Sequence, residues 1–220
     1  MILNYYKPRG IFSFNFLSQV KRQLNVKKAG HAGTLDPLAE GVLVILTDAD
    51  TKKQSDFMKK DKEYVAEVAF GIETETLDLE RDPVPVNLVS LNELKSNLPQ
   101  ILQKYLGNII QIVPMYSAKK VNGKALYKLA LQQKSVGEDR RATNVTIYSI
   151  DTMDISQREI DTTEGKKTLS VTTIKINCSS GTYIRALVRD LGQDLGSSAV
   201  LIKLVRTRSG DYRVEDSIRL

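Results

Sequence analysis

The residues best placed to do chemistry lie in the stretch Ala29-Gly30-His31-Ala32-Gly33-Thr34-Leu35-Asp36-Pro37-Leu38-Ala39-Glu40-Gly41-Val42-Leu43. Glycines at positions 30, 33 and 41 open backbone angles closed to other residues and let a ligand approach the chain closely. Pro37 pushes Asp36 out of the α region into an extended conformation. A carboxylate held on such a loop, just ahead of the apolar run Val42 to Leu46, is a candidate nucleophile or general base. The same residues also fit an ordinary Asp-Pro turn with Asp36 as a local cap, and the stretch alone does not choose between them.

Other chemistries are thinly supplied. The 220 residues include one histidine, His31, and one cysteine, Cys178. That excludes the HExxH motif, His-rich zinc sites, Cys/His clusters and an intrachain disulfide. Neither GxGxxG nor a P-loop occurs, so no nucleotide cofactor is suggested. No metal and no cofactor are expected. No apolar stretch approaches the ~20 residues of a membrane span, and Met1 to Lys7 has no signal-peptide core. A single cysteine fits a reducing compartment, so a cytoplasmic protein without membrane contact is expected. Apolar residues at 41% and charged residues at 26% give an ordinary globular balance.

The net charge is +6, and its distribution is informative. Residues 1–60 carry ten Lys/Arg against five Asp/Glu, residues 61–176 are nearly balanced, and residues 177–220 carry seven against five. A fold that joins the two chain ends makes one basic surface, suited to a polyanion; a merely solubilising charge is the alternative.

The elements around the glycine-rich loop follow from periodicity. Ile2 to Tyr6 reads as a strand. Ser13 is expected to cap a helix with Leu17, Val20 and Leu24 on its apolar stripe. Residues 25–41 read as loop, Val42 to Leu46 as a buried strand, and Asp48 as the cap of a helix to about Lys60. Tyr64, Ala66, Val68 and Phe70 alternate along a strand closed by Gly71. An acidic loop over 72–89 precedes the capping box Ser90/Glu93 and a helix with Leu91, Leu94 and Leu98 inward. Pro99 is expected to break or restart that helix. Ile109 to Val113 reads as a strand, Asn122-Gly123 as a tight hairpin, and Ala125 to Gln132 as a short helix. Two strands, 143–156 and 168–178, flank a polar turn. Thr182 is expected to cap a helix carrying Ile184, Leu187, Val188, Leu191 and Leu195, which Gly196 ends. Ala199 to Arg208 is the last strand. Strands outnumber helices without regular alternation, so the fold class is α+β with a mixed, mostly antiparallel central sheet flanked by helices and loops.

Six ordered segments also resemble a known family. The Ala29 to Leu43 stretch is similar to the GHTGTLDPLATGVL motif of the TruB family of tRNA pseudouridine-55 synthases. Lys7-Pro8-Arg9-Gly10 with Ser13 resembles its KPxGxxS. Lys62-Glu63-Tyr64 resembles its KxY strand, and Thr74-Glu75-Thr76-Leu77-Asp78 its TDTxD loop. Pro114-Met115-Tyr116-Ser117-Ala118-Lys119-Lys120 resembles PPxYSAxK. Ser180-Gly181-Thr182-Tyr183-Ile184-Arg185 with Asp190-Leu191-Gly192 resembles GTYIRxLxxDLG. Ala32, where Thr is usual, and Glu40, where a small residue is usual, depart from the motif.

The resemblance implies the pseudouridine synthase fold and a single catalytic domain over residues 1–220, with no room for a C-terminal PUA-type RNA-binding domain. It implies an isomerase that breaks the N1–C1′ bond of uridine 55 in the tRNA T-loop, turns the base and rejoins it through C5. Asp36 is then the essential carboxylate, attacking C6 or C1′ or taking a proton from C2′. Arg185 pairs with it. Tyr64 lies against the target base, and Tyr183 and Leu204 line the uracil pocket. His31 fills the space of the flipped base. Lys7 braces the catalytic loop and counts among the substrate-binding residues. The implied partner is the tRNA T-arm stem-loop, with no obligatory protein partner and a monomeric chain. A tRNA-folding chaperone using the same surface, or a related synthase with another RNA target, is the alternative.

Overall fold

A computed structural model describes residues 1–220. Nine strands form its main sheet: β1 (Ile2–Lys7), β2 (Ala29–His31), β3 (Ala39–Thr47), β4 (Lys62–Phe70), β5 (Gly107–Ile112), β6 (Ala142–Thr162), β7 (Gly165–Cys178), β8 (Ala199–Ser209) and β9 (Tyr212–Arg213). They lie in the order β1-β3-β8-β4-β7-β6-β5, with β2 beside β3 and β9 beside β8. One pairing is parallel, that of Leu204–Arg206 on β8 with Ala39–Gly41 on β3; the others are antiparallel. The expected mixed, mostly antiparallel α+β architecture is what the chain adopts.

The apolar alternation of β4 explains its central place. Tyr64, Ala66, Val68 and Phe70 point into a cluster of 25 buried residues. Helix α2 (Leu91–Gln103) adds Leu94, Leu98, Ile101 and Leu102 to that cluster, and α3 (Ile184–Asp194) adds Ile184, Leu187, Val188 and Leu191. Leu35, Leu38 and Ala39 belong to it as well, so the loop bearing Asp36 is rooted in the main core on both sides. Helix α1 (Ser13–Gln23) packs Phe16 and Val20 on Tyr5, Leu43 and Ile45. The C-terminal segment runs along β1, with Tyr6 N donating to Ile218 O at 2.8 Å and Ile218 N to Asn4 O at 2.8 Å. The two basic chain ends therefore meet.

Several local expectations need correction. Ser13 is the first helical residue and caps nothing; its hydroxyl is committed to Leu35 instead. Thr182 likewise gives its hydroxyl to Ser179 O, and Tyr183 stands at the start of α3. Residue 48 starts a 3-10 turn, Asp48–Lys53, that runs into the short helix Gln54–Met58, and its side chain makes no cap. Pro99 does not break α2. The carbonyl it frees belongs to Lys95 on the exposed side, open to solvent, while Leu98 and Ile101 hold both halves to the core. Residues 29–31 form β2 rather than loop, because they pair with Ile45 to Thr47. The two strands around residue 160 are longer than expected: β6 and β7 pair out to Thr162 and Gly165. Polar side chains on both faces of that ribbon tip hide it from a reading that looks for buried alternation.

Candidate active site

Asp36 sits between β2 and β3. Its position is set from below by three contacts made by the N-terminal segment. Ser13 Oγ donates to Leu35 O at 2.7 Å and accepts from Leu35 N at 2.9 Å, so one hydroxyl holds both polar groups of the preceding residue. Gly10 N donates to Pro37 O at 2.8 Å. Lys7 Nζ donates to Ala39 O at 2.7 Å and to Pro8 O at 2.9 Å. Lys7 is fully buried, and burial pushes its ammonium down to about 8. It is not among the residues that line the cavity described below, and its two donated bonds tie the N-terminal strand to the loop.

Gly41 follows in β3 with φ of +103°, and a Cβ there would meet Arg206 O at 2.4 Å. The close parallel approach of β3 and β8 depends on that missing side chain. Arg206 is itself buried; it donates from Nε to Val42 O at 2.7 Å and from Nη2 to Gly33 O at 3.1 Å, tying both ends of the glycine-rich segment to β8.

The carboxylate meets a cation. Asp36 Oδ2 is 2.8 Å from Arg185 Nη2. The Arg185 side chain is 7% exposed and that of Asp36 is 43% exposed, so the pair is anchored on its cationic side and open on its anionic side. Arg185 is held by further partners: Nη1 donates to Thr76 O at 2.7 Å, Nη2 to Tyr116 O at 2.9 Å, and Nε lies 3.7 Å from Asp78 Oδ2. A planar fork with several donors can satisfy all of these at once. Asp78 is buried, and burial raises its carboxyl against the pull of Thr76 and Arg185. The Thr76 hydroxyl donates to it at 2.6 Å, as does Glu80 N at 3.1 Å.

Asp36, Tyr64, Tyr183, Arg185 and Leu204 line one cavity of about 350 Å³, with Arg206 and Lys62 on its walls. Burial raises the phenols of Tyr64 and Tyr183, which keeps both protonated and able to donate at neutral pH. The backbone of Tyr183 is fixed by buried Gln111, which accepts from Tyr183 N at 3.0 Å and donates to Tyr183 O at 3.3 Å. Leu204 is also part of the main core. The expected catalytic trio and two of the expected pocket residues thus converge. His31 does not line this cavity. It sits on β2, where its carbonyl accepts from Gln54 and its Nδ1 is buried without a partner; burial lowers its pKa, leaving the ring neutral.

Gln111, Arg206 and Asp78 were missed as site residues. Gln111 is a lone amide on a strand-like apolar run, and Arg206 shares strand parity with Leu204; a polar group at an inward position was the available signal. Asp78 is the last residue of the TDTxD-like loop and had no role assigned to it.

This fold and this paired carboxylate define a class, the pseudouridine synthases. Residues 21–184 match the TruB family pseudouridylate synthase (N terminal domain), and the chain belongs to that family. It is 39% identical over 209 residues to the tRNA pseudouridine synthase B of Fusobacterium nucleatum, covering 95% of this chain and 67% of that protein. It is 37% identical over 219 residues to the tRNA pseudouridine synthase B of Clostridium tetani, covering 100% of this chain and 71% of that one. Among solved structures, a Cbf5-Nop10-Gar1 complex contains a chain that superposes with a TM-score of 0.70 at 28% identity, over all of this chain and 52% of that one. The chain therefore spans about two thirds of those relatives and half of that structure.

Proposed function

We propose that this chain converts uridine 55 in the T-loop of tRNA to pseudouridine, with residues 1–220 acting as one catalytic domain. The observation that carries the reading is the Asp36–Arg185 pair at 2.8 Å, open to a cleft that also holds Tyr64 and Tyr183. The relatives named tRNA pseudouridine synthase B support the choice of tRNA.

The reaction needs an anionic carboxylate beside a ribose that has left its helix. Arg185 supplies the positive charge that the anionic form of Asp36 needs, and its own partners stop it from following the substrate. Asp36 then adds to the base or sugar, or takes the C2′ proton. The N1–C1′ bond breaks with its electron pair left on N1. The freed uracil turns within the cleft, and C5 bonds to C1′ as Asp36 is released or returns the C2′ proton. The base loses the proton on C5 and takes one up on N1, so no atoms are gained or lost. Tyr64, neutral and under the base, stacks on it and donates from its hydroxyl. Tyr183 and Leu204 form the walls against which the base turns. Flipping the nucleotide costs a few kcal/mol of stacking. In this reading the neutral His31 ring enters the vacated stack, which asks for movement of the RNA or of β2, since the ring lies outside the cleft. The chain works as a monomer, without an obligatory protein partner, in the cytoplasm; no helix is long and apolar enough to cross a membrane.

The test is pseudouridine mapping after incubation with unmodified tRNA and with an isolated T-arm hairpin. Modification confined to the T-loop uridine is the expected result. Modification elsewhere, or none on either RNA, contradicts it.

A further inference from the structure

The first acidic residue of the chain is Asp36 itself. Residues 1–35 hold six cations and no carboxylate. Lys7 is buried, while Arg9, Lys21, Arg22, Lys27 and Lys28 are all exposed, and none of these five forms an ion pair within the chain. Amid this unneutralised charge stand two aromatic rings that the fold leaves in water. Phe12 is 61% exposed and Phe14 71% exposed. The chain has five phenylalanines, and Phe16 and Phe70 are buried, so exposure is not a general habit of its aromatics.

Their placement is fixed. Phe12 and Phe14 flank Ser13, and Ser13 is the residue whose hydroxyl holds both backbone groups of Leu35, one position before Asp36. Gly10 N on Pro37 O ties down the other side of the carboxylate. The two rings are thus carried by the same short segment that supports the catalytic loop, on an extended residue and the second position of α1.

We infer that Phe12 and Phe14 form a stacking platform for an unpaired base of the RNA loop next to the flipped uridine. This rests on the reading of the chain as an RNA-modifying enzyme. Exposed rings among unpaired cations are how proteins grip single-stranded nucleic acid: the cations follow the phosphates and the rings take the base faces. The occupant is RNA rather than protein because the segment that carries the rings holds five exposed, unpaired cations and no carboxylate of its own, the one carboxylate recorded against it being Asp48 beside the backbone of Lys28. A platform here holds the nucleotides on one side of the target while Asp36 and Tyr64 hold the target.

The experiment uses the full chain and a T-arm stem-loop carrying 2-aminopurine in turn at each unpaired position other than the target. Wild type is expected to quench the fluorescence of at least one position. Phe12→Ala with Phe14→Ala is expected to abolish that quenching and weaken binding about tenfold, the scale of one base–aromatic stack. The dependence of log affinity on log salt stays unchanged, because no phosphate contact is lost. The rate at saturating RNA also stays unchanged. Tyr at both positions restores affinity and quenching, and Leu does not. Both rings are exposed, so the variants fold as wild type does. Affinity within twofold of wild type, a flattened salt slope, or rescue by Leu as full as by Tyr overturns the platform. An inactive wild type on the same stem-loop overturns the proposed function instead, so the two failures are distinguishable.

Discussion

Arg185 carries more of the site than its pairing with Asp36 alone suggests. It joins Asp36 to the Thr76–Asp78 loop and to Tyr116, segments far apart in the chain. Lysine keeps the charge but not the fork, so Arg185→Lys is expected to fold and yet to lose more than about 100-fold in turnover through misplacement of Asp36. Single-turnover pseudouridine formation checks this, and near-normal turnover contradicts it. Removing the charge altogether is worse for the fold. Arg185→Met strands buried Asp78, and a loss of about 3–5 kcal/mol in urea unfolding is expected. Lys7 gives a pH signature. Its folded pKa is about 8, below the 10.5 of the free side chain. Between those values the unfolded chain holds a proton that the folded chain has released, so stability rises with pH by up to about 1.4 kcal/mol per unit. Below the lower value the full penalty of a buried ammonium is present. Urea titrations from pH 7 to 10 on wild type and Lys7→Met test this: the rise should be shallower in the variant, where Lys62, also held at about 8, still contributes, while buried Cys178, pushed up to about 11, opposes the rise above pH 9 equally in both proteins. Parallel pH curves would dismiss it.

At the scale of elements, the loop bearing Asp36 is held by two separate devices, the N-terminal segment beneath it and β8 beside it. Gly41 shows how tight the second is. Its positive φ and the 2.4 Å approach to Arg206 O leave no space for a methyl group. Gly41→Ala is expected to part β3 from β8 and lower the melting temperature by more than about 4 °C, the effect of about 2 kcal/mol in a domain of this size. A melting temperature equal to wild type would mean the strands do not rely on that contact. Most elements were legible in the sequence because their periods are strong, as in β4 and α3. What was hidden were the hydroxyls. Ser13 and Thr182 stand before apolar stripes as caps do, yet tertiary contacts claim both side chains, and no local pattern announces a partner such as Leu35, 22 residues away. Asp36, Tyr64, Tyr183, Arg185 and Leu204 were named from motifs, and the fold brings them to one cleft. The placement of His31 outside that cleft, and of Lys7 beneath the loop, depends on how β1 and β2 flank β3, which residue type alone does not disclose.

The whole molecule joins its two basic ends through the pairing of the C-terminal segment with β1. The N-terminal segment of that joined end is also the one whose Ser13 and Gly10 hold the loop of Asp36. Log affinity for a T-arm hairpin should fall with log salt by about 0.9 per phosphate contact on its duplex stem. Lys27→Ala with Lys28→Ala should flatten the slope, and an unchanged slope removes those lysines from the contact. A surface of this extent grips one stem-loop, so the hairpin should be used within about tenfold of full tRNA in kcat/KM, or about 1.4 kcal/mol. Scrambling its loop while keeping the target uridine should abolish turnover, because loop shape presents the base. Asp36→Asn bears most directly on the central claim. It keeps the size of the side chain and its hydrogen bond with Arg185 while removing the negative charge. With saturating enzyme and radiolabelled hairpin, no pseudouridine should form, and the affinity for RNA should match wild type, since phosphate contacts supply most of it. Substantial pseudouridine from the pure Asp36→Asn protein would contradict the assignment of Asp36 as the group that starts the reaction.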